Sequence, residues 1–240
     1  MTGAILNATG ILAGGVIGLA RARPPGPAAQ SFYKTALGVF TMYYGLQLTW
    51  VSVNGPFNLI LKQTVIILLA IVLGRMAGHL LHLQKASNHL GQYARQLIQN
   101  SRPDDPHRFS NGLNVCAILF CAAPMGMLGA VQDGLSGYFY PLAVKALMDG
   151  LAMLGFVSLF GGGAMLAALP VFVFQSAITL ACNLYLEPFL RMHGLLDPVN
   201  ATGGLVVCMV GLVIFEFKRV ALADYLPSLA FAPLIAWLWK

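Results

Sequence analysis

The stretch from Tyr140 to Phe160, YPLAVKALMDGLAMLGFVSLF, is apolar apart from Lys145 and Asp149, which lie four residues apart. At about 1.5 Å of rise per residue it is long enough to cross a hydrocarbon core about 30 Å thick. If the helix begins near Phe139 at the outer surface, Lys145 lies about 9 Å deep and Asp149 about 15 Å deep, close to the midplane. A carboxylate at that depth costs about 2.5–3.5 kcal/mol even on the lenient insertion scale, so it must face protein, a partner charge or water. Four residues apart, the two side chains share a helix face and can pair with each other. Two roles stay open: a structural pair that fixes helix packing, or contacts in a substrate or ion path. Lys before Asp is the less favourable order for a helix pair. A purely structural role is also open to apolar residues at lower desolvation cost.

The whole chain has the character of this segment. Of its 240 residues 58% are hydrophobic and 9% charged, with a mean hydropathy of +0.75, where soluble domains carry about 25% charged residues. That composition predicts an all-α polytopic membrane protein, a single transmembrane domain over residues 1–240, with the lipid bilayer as its first partner. Hydrophobic runs bounded by Gly, Pro, Asn or charge predict eight spans: 2–20, 32–53, 57–83, 112–131, 139–160, 164–187, 201–217 and 224–239. The chain opens directly on an apolar run, which reads as a retained first helix rather than a signal peptide.

The formal charge of +6 sits in short loops, not in one basic patch with interleaved aromatics, so it reads as topology and not as a nucleic-acid surface. Arg21, Arg23, Lys34, Lys85, Arg95, Arg102, Arg108, Lys218 and Arg219 fall on one side, Arg191 and Lys240 on the other. The positive-inside rule then places the basic loops in the cytoplasm and both termini in the periplasm of a bacterial inner membrane. The one long connection, residues 84–111, repeats Leu90, Ala94, Leu97 and Ile98 at helical spacing. It predicts an amphipathic extension of the third span, ending before Pro103 and lying on the membrane surface.

Two partial repeats are visible. TALGVFTMYYGL and ATGGLVVCMVGL share Gly38/Gly204 and Gly45/Gly211 at one spacing, and LNATGIL near the start resembles LNVCAIL from Leu113. Each match joins spans of opposite direction, so either would mean an inverted repeat. Gly10, Gly14 and Gly18 form a small-residue stripe on the first span, suited to packing within the chain or across a homodimer.

Gln175, Thr179 and Asn183 recur every four residues in the sixth span and make a polar stripe on an apolar helix. Gln175 lies about 16 Å in, level with Asp149. The stripe either glues helices together or, with Lys145 and Asp149, lines a polar chamber. Pro170 in the same span frees a carbonyl for such a chamber. Asn7 and Asn114 are weaker candidates, while Gln132 and Asp133 read first as a turn, with Asp133 placed to guard an outer entrance. Cys116, Cys121, Cys182 and Cys208 lack CxxC spacing and read as small core residues. His79 and His82 have no acid nearby in sequence, and HExxH, GxSxG and GxxxxGK[ST] are missing, so no enzyme chemistry, metal site or cofactor is indicated.

Residues 109–150, FSNGLNVCAILFCAAPMGMLGAVQDGLSGYFYPLAVKALMDG, resemble the central signature of the bacterial inner-membrane family catalogued as domain of unknown function 554. The matching positions are Leu119, Phe120, Cys121, Gly126 or Gly129, Gln132, Asp133, Gly134, Lys145, Asp149 and Gly150. The resemblance extends along nearly the whole chain. It departs in span seven, where Val213 stands in place of a frequent Asn, and before Leu226–Pro227, where Ala223 and Asp224 replace Gly-Asn. The resemblance implies a helical inner-membrane protein, often supposed to be a transporter, and carries over no catalytic residues.

The resulting expectation is a secondary transporter or channel-like permease for a small solute or inorganic ion, coupled to H⁺ or Na⁺. Asp149 would bind a cation or proton, Lys145 would be its counter-charge or an anion contact, and Gln175, Thr179 and Asn183 would supply neutral ligands. The rival expectation is a non-transporting scaffold or sensor whose 84–111 segment binds a partner and whose buried charges fix its shape.

Overall fold

The computed structural model describes residues 1–20, 26–101, 106–217 and 220–239, and among them there is no strand. Arg21, Arg23, Arg102, Lys218, Arg219 and Lys240, part of the charge count above, lie outside the described residues. The helices are α1 (Thr2–Ala20), α2 (Pro27–Ser52), α3 (Phe57–Leu80), α4 (Leu83–Asn100), α5 (Arg108–Ala122), α6 (Pro124–Ser136), α7 (Tyr140–Phe160), α8 (Ala168–Ala181), α9 (Glu187–Met192), α10 (Leu196–Ile214) and α11 (Ser228–Leu238). Proline stands at the start of α2, α6 and α7, where its missing N–H has no intrahelical partner to lose. Glycines at φ 68° and 70°, Gly137 and Gly161, end α6 and α7 in conformations that a Cβ disfavours.

The protein is an all-α polytopic membrane protein, and fewer than the expected eight spans stand out by length and apolarity alone among the described residues. Four helical stretches of the described residues are long and apolar enough to cross a bilayer, and α5 with α6 makes a fifth if that bent pair is one span. The predicted fourth span is in fact broken at Ala123–Pro124 by a bend of 59°. The longest stretch, Tyr140–Met192, runs 53 residues, about 80 Å if straight, and so cannot be one crossing. Packing register resolves it. Gly126 and Gly129 of α6 face Lys145 and Leu142 of α7, an antiparallel order. Thr179 of α8 and Asn183 just beyond its end bond to Ala130 and Gly134 of α6, a parallel order. Hence α7 and α8 run in opposite directions, joined by the 3₁₀ segment Gly161–Ala167.

Two tight helix pairs organise the rest. Gly10, Gly14 and Gly18 of α1 lie on Ala146, Gly150 and Leu154 of α7, with the helices parallel. A Cβ on Gly14 would fall 2.1 Å from the Gly150 carbonyl oxygen. The small-residue stripe is therefore used within the chain. The second pair unites the halves of the sequence repeat: Gly45 lies on Gly204 and Gly38 beside Gly211, with α2 and α10 antiparallel. Without side chains at these points the backbones approach closely and gain dispersion contacts that lipid cannot supply.

The amphipathic segment is helical as expected and ends at Asn100, but it is a separate helix and not an extension of α3. His82 at φ 57° breaks the two apart. Asp224 accepts the Gln84 N–H at 2.9 Å, and the Gln84 side chain accepts the Ala223 N–H at 3.1 Å, so the start of α4 is tied to the segment before α11. Asp224 also supplies the acid that sequence proximity did not show near the histidines, 3.9 Å from His79.

Gly14→Ala should lower thermal stability in detergent by an amount equivalent to about 1–3 kcal/mol, the usual cost of overpacking. Gly155→Ala on α7, where a Cβ meets nothing within 4 Å, should leave the melting temperature unchanged or raised. Equal effects in a fluorescence-detected melt would contradict the close α1–α7 contact.

Candidate functional site

The break between α5 and α6 places two helix ends inside the bundle. Pro124 has no N–H, so the Phe120 carbonyl loses the donor that helix continuation would give it. Pro124 thus does what sequence reasoning assigned to Pro170, which instead lies in the first turn of α8, where a proline disturbs little.

Lys145 and Asp149 of α7 face this break and form an ion pair with each other. Both are buried, at 2% and 7% exposure. The Lys145 ammonium also lies 5.6 Å from the Phe120 ring centroid, a cation–π contact. Asn7 of α1 is wholly buried beside the Asp149 carboxylate, although neither its amide nitrogen nor its oxygen is aligned for a hydrogen bond.

Gln175 of α8 completes the group. It is 0% exposed, and neither Oε1 nor Nε2 bonds to any group among the described residues. Lys145, Gln175 and Phe120 meet at Gly126, in the first turn of α6. A Cβ there would lie 2.9 Å from Lys145 Cε, 3.4 Å from Gln175 Nε2 and 3.5 Å from the Phe120 oxygen. This buried polar cluster is therefore built by α1, the α5–α6 break, α7 and α8. An apolar hollow of about 620 Å³ reaches Ala123 and Pro124 from the side of Leu83 and Leu90 of α4.

The other candidates fall elsewhere. Thr179 donates to the Ala130 carbonyl at 3.1 Å and Asn183 to the Gly134 carbonyl at 3.2 Å, so the stripe beyond Gln175 binds α8 to α6. Asn114 is exposed on α5, away from the chamber. Gln132 and Asp133, expected in a turn, lie within α6, because the helix runs on to Ser136 before Gly137 reverses the chain. Asp133 accepts the Gly3 N–H at 3.0 Å and pairs with the Met1 amine at 3.1 Å, capping α1. Gln132 is fully buried without a partner, but its amide lies over Gly203 of α10. Glu216 pairs with Lys34 of α2. Sequence reasoning did not single out Phe120 or Gly126 as site residues. The signal was Pro124, four residues past Phe120 in an apolar run.

This geometry defines a polytopic helical membrane protein with a buried ion pair and an unpaired carboxamide gathered at a discontinuous helix. The chain belongs to the family described as "Protein of unknown function (DUF554)", whose family model matches residues 2–237. It is similar to the "Uncharacterized protein YqgA" of Escherichia coli strain K12, 25% identical over 99% of this chain and 97% of that protein. It is likewise similar to the "Uncharacterized membrane protein YdfK" of Bacillus subtilis strain 168, 24% identical over 98% of this chain and 95% of that one. No solved structure matches it.

Removing one member of a desolvated ion pair leaves the other charge buried, whereas replacing both by apolar residues does not. Asp149→Ala should therefore cost about 3–5 kcal/mol, and the double variant Lys145→Met/Asp149→Leu should recover most of it. Denaturant titration in mixed micelles distinguishes these outcomes. A single variant as stable as the parent would show that Lys145 reaches water.

Proposed function

We propose that this protein is a transporter or channel-like permease of the bacterial inner membrane, moving a small solute or inorganic ion through the chamber at the α5–α6 break. The observation that carries this reading is Gln175. A buried carboxamide with neither polar atom bonded costs about 1–3 kcal/mol for each lost partner. Such groups persist where a ligand or water meets them. Beside it are Lys145 of the buried ion pair and the ends of two half-helices. Intramembrane ionisable residues at a broken helix recur in secondary transporters, whose half-helix ends serve as ion and substrate contacts.

The protonatable Asp149 suits coupling to H⁺, with Na⁺ as the alternative. The basic loops face the cytoplasm and the termini the periplasm in this reading. The rival reading, a scaffold whose 84–111 segment recruits a partner, is weakened by α4 itself: its start is tied to Ala223 and Asp224, and Ala94 is wholly buried.

Purified protein in liposomes, offered a panel of radiolabelled inorganic ions, organic acids, amino acids and sugars, should take up at least one at about ten times the rate of protein-free vesicles. Correctly folded protein that moves no member of the panel would contradict the transport reading.

A further inference from the structure

Resting on that transport reading, we propose that the cargo is a small monovalent anion and that one proton travels with it on Asp149. Three features of the chamber favour negative charge. The Lys145 ammonium makes one hydrogen bond among the described residues, to Asp149, so two of its three N–H donors remain for a ligand. Gln175 Nε2 is fully buried, has no acceptor, and points to the same spot beside Gly126. Gly126 itself lies in the first turn of α6, a helix of 13 residues that begins inside the bundle. Its N-terminal end carries partial positive charge. The absence of a side chain at Gly126 lets Lys145 and Gln175 close on this first turn, where the Gly126 N–H is itself bonded to the Ala123 carbonyl. A metal cation in the same place would lie against a buried ammonium, where repulsion is weakly screened.

Proton coupling follows from the pair. An anion seated on Lys145 draws the ammonium away from Asp149. The carboxylate, left alone in an apolar interior, then takes a proton. Before binding the chamber holds one positive and one negative group. Afterwards it holds the ammonium, the anion and a neutral carboxylic acid. One anion and one proton have entered, and the net charge is unchanged.

The other titratable groups facing the pair are Cys116 and Cys121 of α5. From α1 comes Asn7 and from α8 Gln175, neither of which titrates. On α6, Asp133 is bound to the start of α1. On α2, Tyr44 stacks on Tyr140 and Lys34 pairs with Glu216. The segment Gly161–Ala167 brings no titratable group.

The test uses liposomes with an internal pH dye and the membrane potential clamped by valinomycin and K⁺. Inward gradients of chloride, nitrate and glycolate are the probes, with Na⁺ and glucose as the cation and neutral arms. At least one anion should acidify the interior, at a rate independent of the clamped potential. Gly126→Ala, whose Cβ meets only flexible side-chain ends of Lys145 and Gln175 and a carbonyl at 3.5 Å, should slow that acidification at least about tenfold without lowering the melting temperature. Asp149→Asn should still take up the anion, but without acidification and now in response to the potential. Movement of Na⁺ or glucose in place of anions, anion uptake without protons in the parent, or an unimpaired Gly126→Ala would overturn the proposal while leaving transport intact. If nothing moves in any arm, the transport reading falls with it.

Discussion

An ammonium and a carboxylate held together away from water constrain everything around them. The Lys145–Asp149 pair attracts strongly at low dielectric, but each charge has given up hydration worth several kcal/mol. The helices around it must therefore keep lipid away from both groups. The glycines of α1 allow that helix to lie directly on α7 along the Asp149 side and bring Asn7 to the carboxylate. The α5–α6 break brings a freed carbonyl, an aromatic face and a bare glycine to the Lys145 side. An unbroken helix at this position would satisfy its own backbone groups and offer the ammonium only side chains.

The same features indicate where movement is cheap. Gly10 and Gly14 against Ala146 and Gly150, and Gly45 against Gly204, join helices by backbone contact over several turns, so each pair behaves as a stiff unit. The break at Ala123–Pro124 has few backbone hydrogen bonds to lose and adjoins an apolar hollow. The polar cluster lies between these stiff pairs, at the bend of a discontinuous helix.

Much of this was legible in the sequence, for identifiable reasons. Composition dictated membrane helices, and helical spacing put Asp149 and Gln175 at one depth. The glycine repeat of α2 and α10 marked two helices that pack together in opposite directions. The broken span was not read, because both of its pieces are apolar and hydropathy cannot see a bend; Pro124 was the cue. Nor could periodicity tell Gln175 from Thr179 and Asn183. All three lie on one stripe, and only the register with α6 decides that two meet carbonyls while the third meets Gly126. The reading of Gln132 and Asp133 as a turn followed residue preference, which the fold overrode by continuing α6 to Ser136.

The central claim is that Gln175 shares one ligand-accessible site with Lys145 and Asp149. Its most direct test is thiol labelling. With Cys116, Cys121, Cys182 and Cys208 replaced by alanine, Gln175→Cys in sealed vesicles should react with a membrane-impermeant methanethiosulfonate cation, and the small anion of the proposed transport should slow the reaction. A thiol at 175 that stays unreactive from both sides of the membrane, while an exposed control on α4 labels fully, would contradict the account.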